Sequence, residues 1–259
     1  LFLAIYAATL PKNGVIPTSR SEVLELYILH ALSPERHKGV VKSTIGKSQL
    51  RRGAEAIALL SLERNEAAVP ESMARLCLSK ALGDPLGDDC IDVLVQNGLL
   101  ERRGSRLAFS IPTIQEYLAG CVLAFAGRLD ADDWLENVYR RPWAQAIQFA
   151  VEKIDNADIL LRRQIERDDD IFYTSLRLAA RCIVNGASVS SDLREMVASK
   201  LARALTRGGH SIRIQIGNLI ADGFCKPLHP DIRHALVNSE RDIYERANIL
   251  VRVSDSKLM

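Results

Sequence analysis

Between Leu99 and Gly120 the spacing of apolar residues changes once, from every second position to every third or fourth, and the change falls on a single proline. Leu100 and Arg102, then Leu107, Phe109 and Ile111, alternate around Arg103-Gly104-Ser105, the pattern of a short hairpin with one buried face. Pro112 has no N–H to give a ladder and stops the strand. Thr113, with Glu116 three residues on, reads as a capping box that opens a helix. Ile114, Tyr117, Leu118, Cys121 and Phe125 recur at helical spacing and make its apolar stripe. A chain with this feature has to dock a hairpin on a helix, and its other elements must be fitted around that pair.

Three helical patterns precede the hairpin. Residues 48–62 carry Leu50, Ala54, Ile57, Ala58 and Leu60, and Glu71–Leu82 carries Met73, Leu76, Cys77 and Ala81. Residues 85–97 carry Cys90, Val93 and Leu94 and stop at Gly98, a helix-ending glycine. Three helices followed by a hairpin predict a winged helix. In DNA readers of that kind the third helix enters the major groove. Here it carries Asp84, Asp88, Asp89 and Asp92, which repel phosphate, so nucleic acid is disfavoured as the partner of this face.

The string Phe109-Ser110-Ile111-Pro112-Thr113-Ile114-Gln115-Glu116-Tyr117-Leu118-Ala119 resembles the end of the winged-helix domain in NACHT-type signal-transduction NTPases. The family form is Phe, one residue, His, three residues, then Gln-Glu-Tyr/Phe-Leu-Ala. Phe109, Gln115, Glu116, Tyr117, Leu118 and Ala119 match it, and Ile111 stands where the family has a His that contacts the β-phosphate of ADP. Upstream, Ser19 and Glu22 form a second capping box before Val23, Leu24, Leu26, Tyr27 and Leu29. An apolar helix over 1–10, a turn at Pro11-Lys12-Asn13-Gly14, then Pro17, Ser19, Arg20, Glu22 and Tyr27 in that order are similar to the small helical domain that follows the nucleotide-binding core in the same family. The resemblance implies that 1–46 ends that small domain and that 47–127 is a winged helix with its following helix. It implies ATP or ADP and Mg in a domain upstream of Leu1 and no cofactor in this chain, with Phe109, Thr113, Gln115, Glu116, Tyr117 and Leu118 as structural rather than catalytic or metal-binding residues. It also implies a chain that is not itself an enzyme, one that relays ligand recognition to the NTPase domain and assembles into a homo-oligomer when full length. Microbial relatives often serve anti-phage defence. Leu1 in place of an initiator Met, and an apolar helix at the very start, read as the interior of a longer protein.

Beyond Gly127 the patterns are helical, at 131–139, 142–154, 157–167, 171–185, 190–206, 210–222, 230–237 and 241–251. Three of them open alike, on Asp170-Ile171-Phe172-Tyr173, Gly209-His210-Ser211-Ile212 and Arg241-Asp242-Ile243-Tyr244. Each sets polar residues before an aliphatic or aromatic stripe, so 128–259 reads as an α-solenoid of HEAT-like helical hairpins that offers its surface to a protein ligand. The fold class expected of the whole is mainly α.

Lys and Arg number 34 against 32 Asp and Glu, a formal charge of +2, which is not the field of a general nucleic-acid binder. The arginine pairs at Arg51/Arg52, Arg102/Arg103, Arg140/Arg141 and Arg162/Arg163 are dispersed and read as solvated faces. Cys77, Cys90, Cys121, Cys182 and Cys225 sit among apolar neighbours, as reduced core residues of a cytoplasmic protein do. The apolar stretch 1–10 is too short to span a membrane. Gly46-Lys47-Ser48 imitates the end of a phosphate-binding loop, but Val41 occupies the place of its first glycine, so the segment reads as a linker capped by Ser48. His229 and His234 are too far apart on a helix to share zinc, and Asp168-Asp169-Asp170 reads as a helix cap rather than a cation site. Trp134 and Trp143 read as packing between consecutive helices. Two other functions fit the pattern, a free-standing HEAT-like interaction adaptor and, less well, a winged-helix nucleic-acid binder.

Overall fold

The computed structural model describes residues 17, 19–33, 45–83, 86–125, 136–222, 224 and 229–237. The helices expected at 1–10 and 241–251, and Val41, Asp84, Trp134 and Cys225, lie outside the described residues. The protein is mainly helical, with eleven helices and one small sheet among the described residues. Its contacts divide the chain into two compact units, one of 1–127 with 145–150 and one of 128–144 with 151–259.

The first unit opens with α1 (Arg20–Ala31), whose Ser19 hydroxyl accepts from the Glu22 N–H at 3.1 Å, half of the expected capping box. Next come α2 (Lys47–Arg64), β1 (Ala68–Pro70), α3 (Glu71–Leu82), α4 (Leu86–Gln96), β2 (Leu100–Arg103), β3 (Arg106–Phe109) and α5 (Pro112–Phe125). The strands form an antiparallel sheet in the order β1-β3-β2, with Leu100 opposite Phe109 and Val69 opposite Leu107. The hairpin therefore folds where the alternation puts it, while β1 is an addition. Three residues with one buried side chain, Val69, are too few to carry a period.

Boundaries and buried faces shift in three places. Helix α2 starts at Lys47, not after Ser48: the Gly46 N–H donates to Gln49 Oε1 at 2.9 Å, so Gly46 holds the cap position and Ser48 lies in the first turn. Helix α5 starts at Pro112, which makes Thr113 its second residue and removes it from the cap position. The cause is Pro112 itself, whose fixed φ and missing N–H suit the first helical position. On α3 the side turned inward is Ala74 and Leu78, with Cys77 half-buried and Leu76 58% exposed. Gly98 ends α4 as expected: at φ 71° it donates to the Val95 carbonyl, and the Leu99 N–H reaches Leu94 O, both at 3.0 Å.

In the second unit α7 (Asp158–Glu166), α8 (Thr174–Val184), α9 (Ser191–Arg207), α10 (His210–Ala221) and α11 (Pro230–Val237) follow α6 (Arg141–Val151), of which 145–150 belong to the first unit. Successive helices from α7 to α10 pack on each other, and so do helices two apart: α7 on α9, α9 on α11, and α8 on α10. Residues 136–139, the described end of the helix expected at 131–139, are a short 3₁₀ segment followed by a turn.

Helix α8 begins three residues later than its pattern suggests, because Tyr173 takes a left-handed conformation at φ 53° and Asp170 closes a turn before it. Asp169 accepts from the N–H groups of Ser175 and Leu176, each at 2.9 Å, and Asp170 accepts from Thr174 N–H at 2.9 Å and Thr174 Oγ1 at 2.8 Å. Two carboxylates thus satisfy the first turn of α8. The similar openings of α8 and α10 have a shared contact. Arg177 Nη1 donates to Phe172 O at 3.0 Å and Arg213 Nη1 to Gly208 O at 3.5 Å, each reaching back across the start of its own helix.

Candidate functional site: the clasp around Tyr117

Helix α5 carries the residues that the sequence singles out, and the fold separates them by role. Phe109 is buried at the end of β3 and Ile111 is half-buried just before the helix. Gln115, Tyr117 and Leu118 face the core, whereas Thr113 and Glu116 are half-buried on the flank. Phe125, expected in the apolar stripe, is the last residue of α5 and 84% exposed.

Tyr117 is the residue on which three other helices converge. Its hydroxyl donates to Glu25 Oε2 of α1 at 2.7 Å. Glu25 in turn takes a two-pronged guanidinium from Arg51 of α2, Nη1 to Oε1 at 2.8 Å and Nη2 to Oε2 at 3.1 Å. Arg51 Nε holds Glu55 one turn further along α2 at 2.6 Å, and its Nη2 lies 3.7 Å from Cys121 Sγ of α5. On the other side the Tyr117 ring meets the edge of Phe149 of α6, with centroids 5.3 Å apart and planes at 86°. Arg20, at the start of α1, lies over the same Phe149 ring at 4.2 Å. Helix α1 is therefore fastened at both Arg20 and Glu25.

Gly120 permits this crossing. A Cβ there would stand 2.6 Å from Ala146 O and 2.8 Å from Phe149 Cβ, so any side chain would push α6 away and carry Phe149 with it.

Electrostatics keep the clasp in one protonation state. Burial works to lower the Arg51 pKa, but the bonds and charges of Glu25 and Glu55 outweigh it and raise the value further above the usual arginine range. Burial, then the neighbouring Cys121 and Glu25, push Tyr117 well above the usual phenol value, against the smaller pull of Arg51. Arg51 stays charged and Tyr117 stays a donor across the physiological range. The arrangement is suited to holding helices in register rather than to moving protons.

Arg51 is where the reading of its pair as a solvated face fails, since its side chain is 20% exposed and fully engaged. Its bond to Glu55 is visible in sequence as an i, i+4 pair, but Glu25, Arg20 and Phe149 meet only through the fold. Among the described residues no group of three His, Cys, Asp or Glu side chains stands close enough to hold a metal ion. No described helix is long and apolar enough to cross a membrane. The described cysteines are thiols outside any disulfide, with Cys90, Cys121 and Cys182 buried and Cys77 half-buried, and burial pushes the Cys90 thiol up to about 12. The chain matches no protein-family model, no curated protein and no solved structure.

Proposed function

We propose that this chain is the regulatory and sensor segment of a NACHT-type signal-transduction NTPase. In this reading α2 to β3 are a winged helix, α1 belongs to the preceding small helical domain, and α7 to α11 begin a HEAT-like solenoid that receives a protein ligand. The observation that carries the reading is the clasp: the motif tyrosine, Tyr117, holds α1 through Glu25 and Arg51. The order helix, strand, two helices and hairpin, with the sheet running β1-β3-β2, supports it. The wing does not favour a DNA-reading role. Arg102 reaches Glu71 and Asp92, Arg106 reaches Glu66, and α4 exposes Asp88, Asp89 and Asp92. With Ile111 in place of the family His, the resting state would be held by the clasp rather than by a contact to the β-phosphate of ADP. Ligand on the repeats would favour the arrangement in which the clasp is open, in proportion to its preference for that state.

The test is the full reading frame around this chain, purified and assayed for bound nucleotide and for mass in solution. The wild type is expected to retain ADP as a monomer, and a Glu25→Ala/Arg51→Ala variant to lose ADP and assemble in ATP. A frame with no phosphate-binding loop before Leu1, or clasp variants with unchanged nucleotide and mass, would overturn the proposal. The packing of α7 on α9 and α9 on α11 favours one other reading, a HEAT-like interaction adaptor with no nucleotide partner. The first of those two failures would point to it.

A further inference from the structure

Cations are disposed differently in the two units. In the first, Arg51, Arg75, Arg102 and Arg106 each reach a carboxylate. In the second, Lys200, Arg203 and Arg207 recur on α9 at a spacing of three and then four residues and so share one helix face. Arg203 and Arg207 are exposed, and neither has a carboxylate partner among the described residues.

The packing gathers further cations beside them. Asp158, first residue of α7, accepts from the Ser190 N–H at the cap of α9 at 2.7 Å, and further along Lys200 Nζ donates to the carbonyl of Ile165 near the end of α7. The two helices therefore run in the same direction, and exposed Arg167, just past α7, lies near Lys200. Asp231 accepts from Ser199 Oγ at 2.7 Å, which sets the start of α11 against the middle of α9 with exposed Arg233 two residues on. Arg167 and Arg233 also lack a carboxylate partner among the described residues. The acids Asp158, Asp192 and Glu195 lie towards the starts of α7 and α9, while on the basic side Glu166 and Asp168 flank Arg167 and Asp231 is bonded to Ser199. Helix dipoles account for this sorting within each helix. Parallel packing of α7 and α9 then adds the cations into one edge.

We propose that this edge, Arg167, Lys200, Arg203, Arg207 and Arg233, binds nucleic acid through its phosphates. Phosphate is favoured over an acidic protein because a protein interface needs an apolar centre. Among the described residues α9, which carries the centre of the edge, exposes no large apolar side chain, and the exposed Ile171 and Phe172 before α8, Ile214 of α10 and Val237 of α11 belong to other elements. Guanidinium groups need no such centre to hold phosphate oxygens. The surface is distinct from the wing, and the inference goes beyond the relay reading without needing the upstream domain.

Fluorescence anisotropy of the whole chain with a labelled 30-base-pair duplex tests it. Binding is expected at 50 mM salt, weakening about a hundredfold by 200 mM, as roughly four phosphate contacts require. Arg203→Glu/Arg207→Glu should weaken binding at least tenfold and reduce the slope of log affinity against log salt by about two, while Arg102→Glu/Arg103→Glu leaves it unchanged. Should the glutamate pair lose its circular dichroism spectrum, Arg203→Gln/Arg207→Gln takes its place with the same expectation. Absence of binding at 50 mM salt, or α9 variants that bind like the wild type, overturns the proposal. So does displacement of the duplex by poly-glutamate at a lower charge concentration, which would assign the edge to an acidic protein.

Discussion

At Arg51 the first unit sets a guanidinium among two carboxylates and a phenol, and at Asp169 the second sets a carboxylate between two backbone N–H groups. The first arrangement ties helices distant in sequence, α1 to α2 and α5. The second ties a helix to the turn just before it. Long-range ties make a unit whose parts hold or release together, whereas local caps let each helix keep its own start.

Removing Tyr117 should be the most damaging single change. Tyr117→Ala deletes a ring that is 1% exposed, removes one hydrogen bond of Glu25 and opens a cavity beside Phe149, at a cost of about 3–5 kcal/mol. Tyr117→Phe keeps the ring and loses only the bond to Glu25, so about 1–2 kcal/mol is expected. Urea midpoints of the two variants check this. Equal losses would mean that the hydroxyl, not the packing, dominates. In the second unit Asp169→Ala removes the acceptor of two N–H groups of α8 and should cost about 1–2 kcal/mol. Hydrogen exchange should find the loss confined to 174–178; spread over α9 and α10 would erase the contrast between the units.

Glu25 and Arg51 sharpen the comparison at a smaller scale. Their side chains are 35% and 20% exposed, so solvent screens the pair and a coupling of about 1 kcal/mol is expected from a double-mutant cycle of Glu25→Gln and Arg51→Met. A coupling near zero would reduce the clasp to packing between Tyr117 and Phe149.

What could be seen in advance follows the same division. The hairpin, the end of α4 at Gly98 and most helices of the second unit are legible because their signals are local: alternation, a left-handed glycine, a stripe between breakers. The carboxylate cap on α8 is legible for the same reason, as three consecutive acids stand just before the turn that starts it. The clasp is not, because Glu25 and Tyr117 belong to different helices and nothing in either local pattern selects the other. The start of α5 misleads since Thr113 and Glu116 satisfy the spacing of a capping box, yet Pro112 is the better first helical residue. β1 is lost to brevity.

The smallest effect separates the units by salt. Glu71 is held below the usual carboxylate range by its bonds to Arg102 and Arg75, and Asp158 by its bonds to the Ser190 hydroxyl and N–H. Both are carboxyls whose folded pKa is depressed. Each therefore stabilises its unit fully above its unfolded pKa, 4.5 for Glu71 and 3.8 for Asp158, and the contribution is lost as pH falls through the folded value. Both groups are half-buried at the surface, where solvent still screens them, and each contribution is at most about 1 kcal/mol. Their partners differ, however. Arginine charges draw Glu71 down and are weakened by about 1 M salt, whereas the Ser190 groups are neutral donors and are not. The carboxyl titration of Glu71, followed by carbon chemical shift, should move up in high salt by more than that of Asp158. Equal movement in both would show that Asp158 is held by its neighbour Arg162 rather than by the cap of α9, and the two units would then use charge in the same way.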